Sequence, residues 1–206
     1  MTSMHIKVLL VHESIRARPD MYLGAGDSNR QAAVLLRQTI ESVATAGNRS
    51  DRMPVALRIW PGPVFELSCP WENASFERVD YRGSSLSVID RQMMTLFAGS
   101  SPSWGLLGAH GLILNALSSR LFLQTSNGEI RREAMYSRGG IISPMQDSSK
   151  APANGSRIVF ELDPLFFDEE ARAHSHSESV IGELLSLFPW LTVSQRAAEV
   201  SAGDPW

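Results

Sequence analysis

Two short stretches and one isolated residue carry side chains able to do chemistry. In "HSHSES", His174, His176 and Glu178 alternate along the chain, an arrangement that can converge on a metal ion. A polar entry into a helix explains the same string equally well. Cys69 is the one cysteine of the chain and has no companion at ligand spacing, so a zinc site is unsupported. As a nucleophile it would need a base beside it, and the sequence places none there. In "GLLGAHGLILNALSS" a glycine-rich segment runs into a helical pattern, and backbone N–H groups at a helix start can cradle an anion. His110 in that segment would add a charge that switches near about pH 6.5. A lone loop histidine reads equally as a solvated surface group. Trp60, Trp71, Trp104, Trp190 and Trp206 read as packing residues.

The elements that must position these groups are legible in part. Asp27 or Ser28 can cap a helix over residues 29–46, with Ala33, Leu36, Ile40 and Val43 spaced as a buried face and Gly47 closing it. The runs "VALRIW" and "VFELS" read as strands joined by the turn "PGP". "CPWENASFERVDYRGSS" reads as irregular, and "LSVIDRQMMTLFAG" as a short helix. "RLFLQTS" and "IRREAMY" flank Asn127-Gly128, a strong hairpin signal. "SSKAPANGS" reads as a polar loop, "RIVFEL" as a strand, and "HSESVIGELLSLF" as a final helix. This order predicts an α/β protein with one mixed sheet under a helical layer.

Composition narrows the class further. The chain has 206 residues, 43% of them hydrophobic, and a formal net charge of −3. That bounds one sizeable core, predicted over 1–194 with a loose tail at 195–206, and gives no basic field to recruit nucleic acid. The lone cysteine fits a reducing cytoplasm. "MTSMHIKVLLVHES" is too short in its apolar run for a signal peptide. No stretch approaches the ~18 apolar residues of a membrane span.

Four stretches together resemble one known family. "IKVLLVHESIRARPDMYLG" is similar to the start of the ATPase domain of DNA gyrase B and its topoisomerase IV relatives, where the string runs R-x-R-P-x-M-Y-I-G. "GLLGAHGLILNALSSRLFLQTSNGEIRRE" resembles that family's G-x-x-G-x-G lid with its following helix and hairpin. "NGSRIVFELDPLFF" resembles its G-T-x-x-x-F-x-P strand, and "SVIGELLSLFPWLTV" its closing helix and strand. The resemblance spans about residues 6–193 and implies the Bergerat (GHKL) fold, a two-layer α/β sandwich with helices on one face of a mixed sheet. Nothing resembles the transducer, cleavage or DNA-gate parts of a topoisomerase.

The resemblance also says which chemistry should be present. In the family a glutamate on the first helix activates water, and an asparagine one turn on holds Mg²⁺. Here those positions fall at Leu35 and Thr39, or, after a one-residue slip, at Val34 and Gln38. Neither register offers a carboxylate, and Glu41 lies nearly two turns on. General-base assistance is worth about 10²–10⁴-fold in rate, so efficient hydrolysis is not expected and no catalytic residue is assigned. The family's adenine-binding aspartate falls at Ser68 or Cys69, with Pro70 and Trp71 on glycine ground. Gly105 and Gly108 stand at the first two lid glycines, and His110 at the third. Arg132 matches an arginine at the pocket mouth, and Ser156 replaces a threonine that helps read adenine. Both could equally face solvent. Tyr22 and Met21 should pack as core beneath the nucleotide helix, Pro19 and Gly24 should shape the turn, and the arginines should be mostly at the surface. In relatives an arm before this string reaches across a dimer; only "MTSMH" precedes it here, so an arm-swapped dimer is not expected.

Three readings follow. The first is a pseudo-ATPase that acts by protein–protein interaction, with a second copy or a type II topoisomerase subunit as partner. The second is a remodelled pocket that binds or transforms a non-nucleotide small molecule, with His110, Glu13 and Arg132 as its polar groups. The third keeps ATP binding with weak turnover. No cofactor or metal is expected under the first two, and ATP with Mg²⁺ belongs only to the third. No direct nucleic-acid contact and no membrane are expected.

Overall fold

A computed structural model describes residues 10–45, 54–60, 64–70, 78–81, 84–95, 107–108, 110–150 and 154–195. Two short helices open it, α1 (Val11–Ala17) and α2 (Asp20–Leu23), followed by the long α3 (Ser28–Thr45). Strands β1 (Val55–Trp60) and β2 (Val64–Cys69) pair antiparallel. Then come β3 (Arg78–Tyr81), β4 (Ser84–Ser87), α4 (Val88–Gln92) and α5 (His110–Ala116). The second half holds β5 (Ser118–Asn127), β6 (Ile130–Ser137), β7 (Gly140–Lys150), β8 (Asn154–Leu162), α6 (Glu169–His174), α7 (Glu178–Leu187) and β9 (Leu191–Gln195).

The main sheet has seven strands in the order β7-β6-β5-β8-β2-β1-β9, antiparallel except for the β1–β9 pair. Because side chains alternate across a strand, the register sorts the two faces. Phe65, Phe160, Leu121 and Tyr136 form one cross-strand row, and Leu67, Ile158, Leu123 and Ala134 the next. Every one of these is buried, and they meet the apolar face of α3. That face is Ala32, Leu35, Leu36, Ile40 and Val43, whereas Ala33 is only half-buried. Asp27 caps the helix by accepting a hydrogen bond from the Arg30 N–H at 2.9 Å. On the opposite face of the sheet, Arg58, Trp60 and Arg157 all donate to Glu66, at 3.0 to 3.2 Å. This is the expected mixed-sheet α/β sandwich.

Several local expectations are corrected. The segment read as irregular contains the β3–β4 hairpin, which stands as a separate two-stranded sheet. Of the helix read over 86–99, Val88–Gln92 is helical, whereas residues 86 and 87 belong to β4, the Ser87 hydroxyl caps α4, and 96–99 lie outside the described residues. Both ends of the expected polar loop are strand: Asn154–Ser156 belongs to β8, and Ser148–Lys150 to the edge strand β7. That edge strand carries little apolar alternation, since one of its faces and its outer edge are largely solvated. Helices α1, α2 and α6 had no separate signal: at 7, 4 and 6 residues they are held by tertiary packing, not by intrinsic propensity. The hairpin at Asn127-Gly128 forms, with Gly128 at φ +87°. Its turn is centred on Gly128–Glu129, and the Asn127 side chain accepts from the Glu129 and Ile130 N–H groups. The stretch 61–63, residues 46–50 after α3, and residues 196–206 of the expected tail lie outside the described residues.

Candidate functional site

Two groups of predicted residues come together. The first is a row across one end of the sheet. Cys69 pairs with Ser156, Ser156 with Thr125, Thr125 with Arg132, and Arg132 with Asp147. The row lies two residues along each strand from the buried Leu67–Ile158–Leu123–Ala134 row, so Cys69, Ser156, Thr125 and Arg132 present the same, helix-covered face. The Ser156 hydroxyl donates to Thr125 Oγ1 at 3.1 Å, and the Cys69 thiol reaches the Ser156 carbonyl at 3.9 Å. Cys69, Ser156 and Thr125 are all buried. Arg132 Nε bonds Asp147 at 2.9 Å, at the open end of the row. Ser68, the alternative to Cys69, points to the other face between Ala56 and Arg157.

The second group joins α3 to the start of α5. Leu35 and Thr39 are 0% exposed, and His110 is 9% exposed. The Thr39 hydroxyl donates its single proton to the Leu35 carbonyl at 2.7 Å. It therefore accepts from His110 Nε2, 3.0 Å away, which fixes the imidazole tautomer. Burial pushes the imidazole down to about 4 from its ordinary 6.5, with the Leu35 backbone acting in the opposite sense. His110 is thus a neutral interior group. The reading of a solvated loop histidine with a switch near its ordinary value is corrected: His110 opens α5, and its ring packs against α3, where a charge would be desolvated. Val34 and Gln38 are half-buried and sit about 100° round the helix from Leu35 and Thr39. Glu41 is exposed on α3.

Gly108 has φ +50°, a backbone state that favours glycine, and Gly111 lets α5 approach Met93 so closely that a Cβ would lie 3.1 Å from its sulfur. Gly105 and Trp71 lie outside the described residues.

The remaining candidates do not join a site. Glu13 caps α1 by accepting from the Leu10 N–H at 2.8 Å. Glu13, His110 and Arg132 therefore sit on three elements, each with its own partners. His174 and Glu178 are exposed, and no group of three metal-ligating side chains exists among the described residues. In the opening string, Tyr22 packs on the core but Met21 is 66% exposed, contrary to expectation. The four-residue α2 turns Met21 to its outer side. Arg18 is exposed, as expected, but Arg16 is half-buried. Its guanidinium donates to the Ala116 carbonyl at 2.7 Å and to the fully buried Asp163 at 2.9 Å, and it stacks over Phe166.

Sequence reasoning missed Thr125, Asp147 and the buried acids Asp163 and Asp90. Thr125 and Asp147 follow from the β5–β6–β7 register alone. Asp90 accepts from Ser87 Oγ at 2.6 Å, from Tyr136 Oη at 2.8 Å, and from the Met145 N–H at 3.1 Å. Burial and the Asp90 carboxylate raise the Tyr136 hydroxyl well above its usual range. This network ties α4 to the edge of the sheet. An open cavity of about 400 Å³ lies beside the row's other end, lined by Val55, Ala56, Ser68, Cys69, Pro70 and Thr192 among others.

The sheet order, the parallel β1–β9 closure and the α3–α5 packing make a mixed-sheet α/β sandwich, and its fold is that of the ATPase domain of gyrase B. It superposes on the crystal structure of the 43K ATPase domain of Thermus thermophilus gyrase B in complex with an aminocoumarin, with a TM-score of 0.72. Sequence identity there is 18%, over 90% of this chain and 48% of that one. The B-type subunit of DNA topoisomerase 4 from Mycoplasma genitalium is 26% identical over 199 residues, covering 92% of this chain and 31% of that protein. The chain thus spans about a third of this topoisomerase protein and about half of the gyrase chain. No protein-family model matches it.

Proposed function

We propose that this domain is a pseudo-ATPase: it keeps the GHKL scaffold, does not hydrolyse ATP by the family mechanism, and acts through protein contacts. The hydrogen bond between Thr39 and His110 carries this reading. On α3, the side chains turned into the interior where a base and a metal ligand would be needed are Leu35 and Thr39. Thr39 is already engaged by the Leu35 carbonyl and a neutral imidazole. A magnesium nucleotide held in the family manner fits this donor set poorly: it lacks a carboxylate for the water, and the Thr39 hydroxyl already makes both of its hydrogen bonds, which leaves the unpartnered Gln38 Oε1 as the one neutral oxygen nearby on α3. Cys69, in place of an ionised adenine acceptor, offers only a weakly hydrogen-bonding thiol. The partner is a second copy of the chain or a type II topoisomerase subunit, a choice supported by the similarity to a topoisomerase protein. A reducing cytoplasm suits the buried free thiol, and no helix among the described residues is long and apolar enough to cross a membrane.

Calorimetric titration with a non-hydrolysable ATP analogue, with and without Mg²⁺, tests the nucleotide part. Silence up to millimolar analogue is expected. Micromolar, Mg²⁺-dependent heat would overturn the reading and favour retained ATP binding. A second reading, a small-molecule pocket, draws on the cavity beside Ser68 and Cys69, since concave, mostly apolar sites suit such ligands.

A further inference from the structure

On the side of α3 away from Leu35 and Thr39, a groove of about 260 Å³ opens between α3 and α7. Val34, Val180 and Leu184 form its floor. Arg30 and Arg37 stand on the α3 rim, and Glu183 on the α7 rim. The two arginines are seven residues apart, so they project from one side of the helix about 10 Å apart along its axis. Among the described residues, none of these three charged side chains makes a hydrogen bond or ion pair. The α3 and α7 rims thus carry opposite charge without satisfying each other. The apolar stripe also runs past the groove, because Leu187, one turn after Leu184, is 43% exposed.

We infer that this groove is a self-association surface, occupied by a second copy of the same chain. A two-fold axis along the groove lays α3 of each copy over α7 of the other. That operation brings the arginine rim onto the partner's Glu183 twice and sets the half-buried Val34 of each copy near the axis, over Val180 and Leu184, which are already core residues. An isologous contact needs a patch complementary to its own rotated image, and opposite charges on the two rims supply it. A purely acidic partner would meet the arginines but oppose Glu183. Helix α3 has 18 residues and α7 has 10, so they are roughly 27 Å and 15 Å long, and at a width of about 10 Å each the two-helix face offers at most about 400 Å² per copy. The total of about 800 Å² lies below the usual range for specific complexes, so the contact is a weak, reversible one held chiefly by the rim charges. The inference rests on the proposed action through protein contacts and names the surface.

Sedimentation equilibrium of the whole chain, over about 1–200 µM at low and moderate salt, tests it. The wild type is expected to show a monomer–dimer equilibrium that weakens with salt, since rim pairs are screened over about 10 Å. Glu183→Arg alone, and Arg30→Glu with Arg37→Glu, should each weaken it at least about tenfold, the equivalent of about 1.4 kcal/mol. The triple reversal should restore it. These side chains have no partner within the described chain, so far-UV circular dichroism should be unchanged. A monomer throughout the range, or a dimer indifferent to all three reversals, overturns the inference. The nucleotide titration separates the two claims. A charge-dependent dimer that also binds Mg²⁺–nucleotide keeps this surface and removes the pseudo-ATPase reading, whereas a monomer silent to nucleotide removes the surface alone.

Discussion

Acidification should destabilise the fold through His110, by an amount the structure sets. The imidazole falls from an ordinary 6.5 to about 4 because it is buried, and its hydrogen-bonding neighbours among the described residues are Thr39 and the Leu35 backbone. The unfolded chain therefore takes up the proton first. His110's contribution to stability is present in full above about pH 6.5 and is lost as the pH falls toward about 4. At about 1.36 kcal/mol per unit, the full loss approaches ~3 kcal/mol, and roughly 2 kcal/mol of it has gone by pH 5. For a chain of this size, 2 kcal/mol is worth roughly 4–8 °C in Tm. Carboxylates also titrate in this range, so the measurement is a difference. Urea unfolding of the wild type and of His110→Gln is followed by circular dichroism at pH 7.5, 6 and 5. Glutamine can still donate to Thr39 but does not ionise. The stability advantage of the wild type over this variant should shrink by about 2 kcal/mol between pH 7.5 and pH 5. A gap that stays constant with pH would show that His110 titrates normally, and the buried Thr39–His110 contact would fall with it.

Two further predictions concern the scaffold. Asp90→Ala removes the acceptor shared by Ser87, Tyr136 and the Met145 N–H. It should lower stability by about 3–5 kcal/mol in urea unfolding, and a loss below about 1 kcal/mol would mean the network is not formed. Gly139→Ala places a Cβ 2.3 Å from the His12 Cβ at a backbone φ of +88°, so about 2–4 kcal/mol should be lost; thermal denaturation at wild-type Tm would contradict the packing of α1 against the β6–β7 turn.

What could be read from the chain beforehand was what neighbouring residues impose on each other. The period-3.6 pattern of α3, the strands β1, β2, β5, β6 and β8, and the Asn127-Gly128 hairpin are all local. In order, they also carried the resemblance to the gyrase B fold. Strand β7 escaped because one of its faces and its outer edge are largely solvated, and α1 and α6 because short helices depend on what they pack against. Within the site, Leu35 and Thr39 could be named from the sequence but not separated from Val34 and Gln38. The same held for Cys69 against Ser68.

The sequence by itself determined the long helix α3, most strands of the main sheet and the mixed-sheet architecture. Tertiary structure decided the state of the groups that remain. Thr39 meets His110 across 71 residues, and Arg16 meets Asp163 across 147. Whether an imidazole is charged or a guanidinium is buried depends on desolvation and on partners brought from such distances. Local sequence does not contain those neighbours, so only the folded chain could make His110 a neutral interior residue and pair the half-buried Arg16 with the fully buried Asp163.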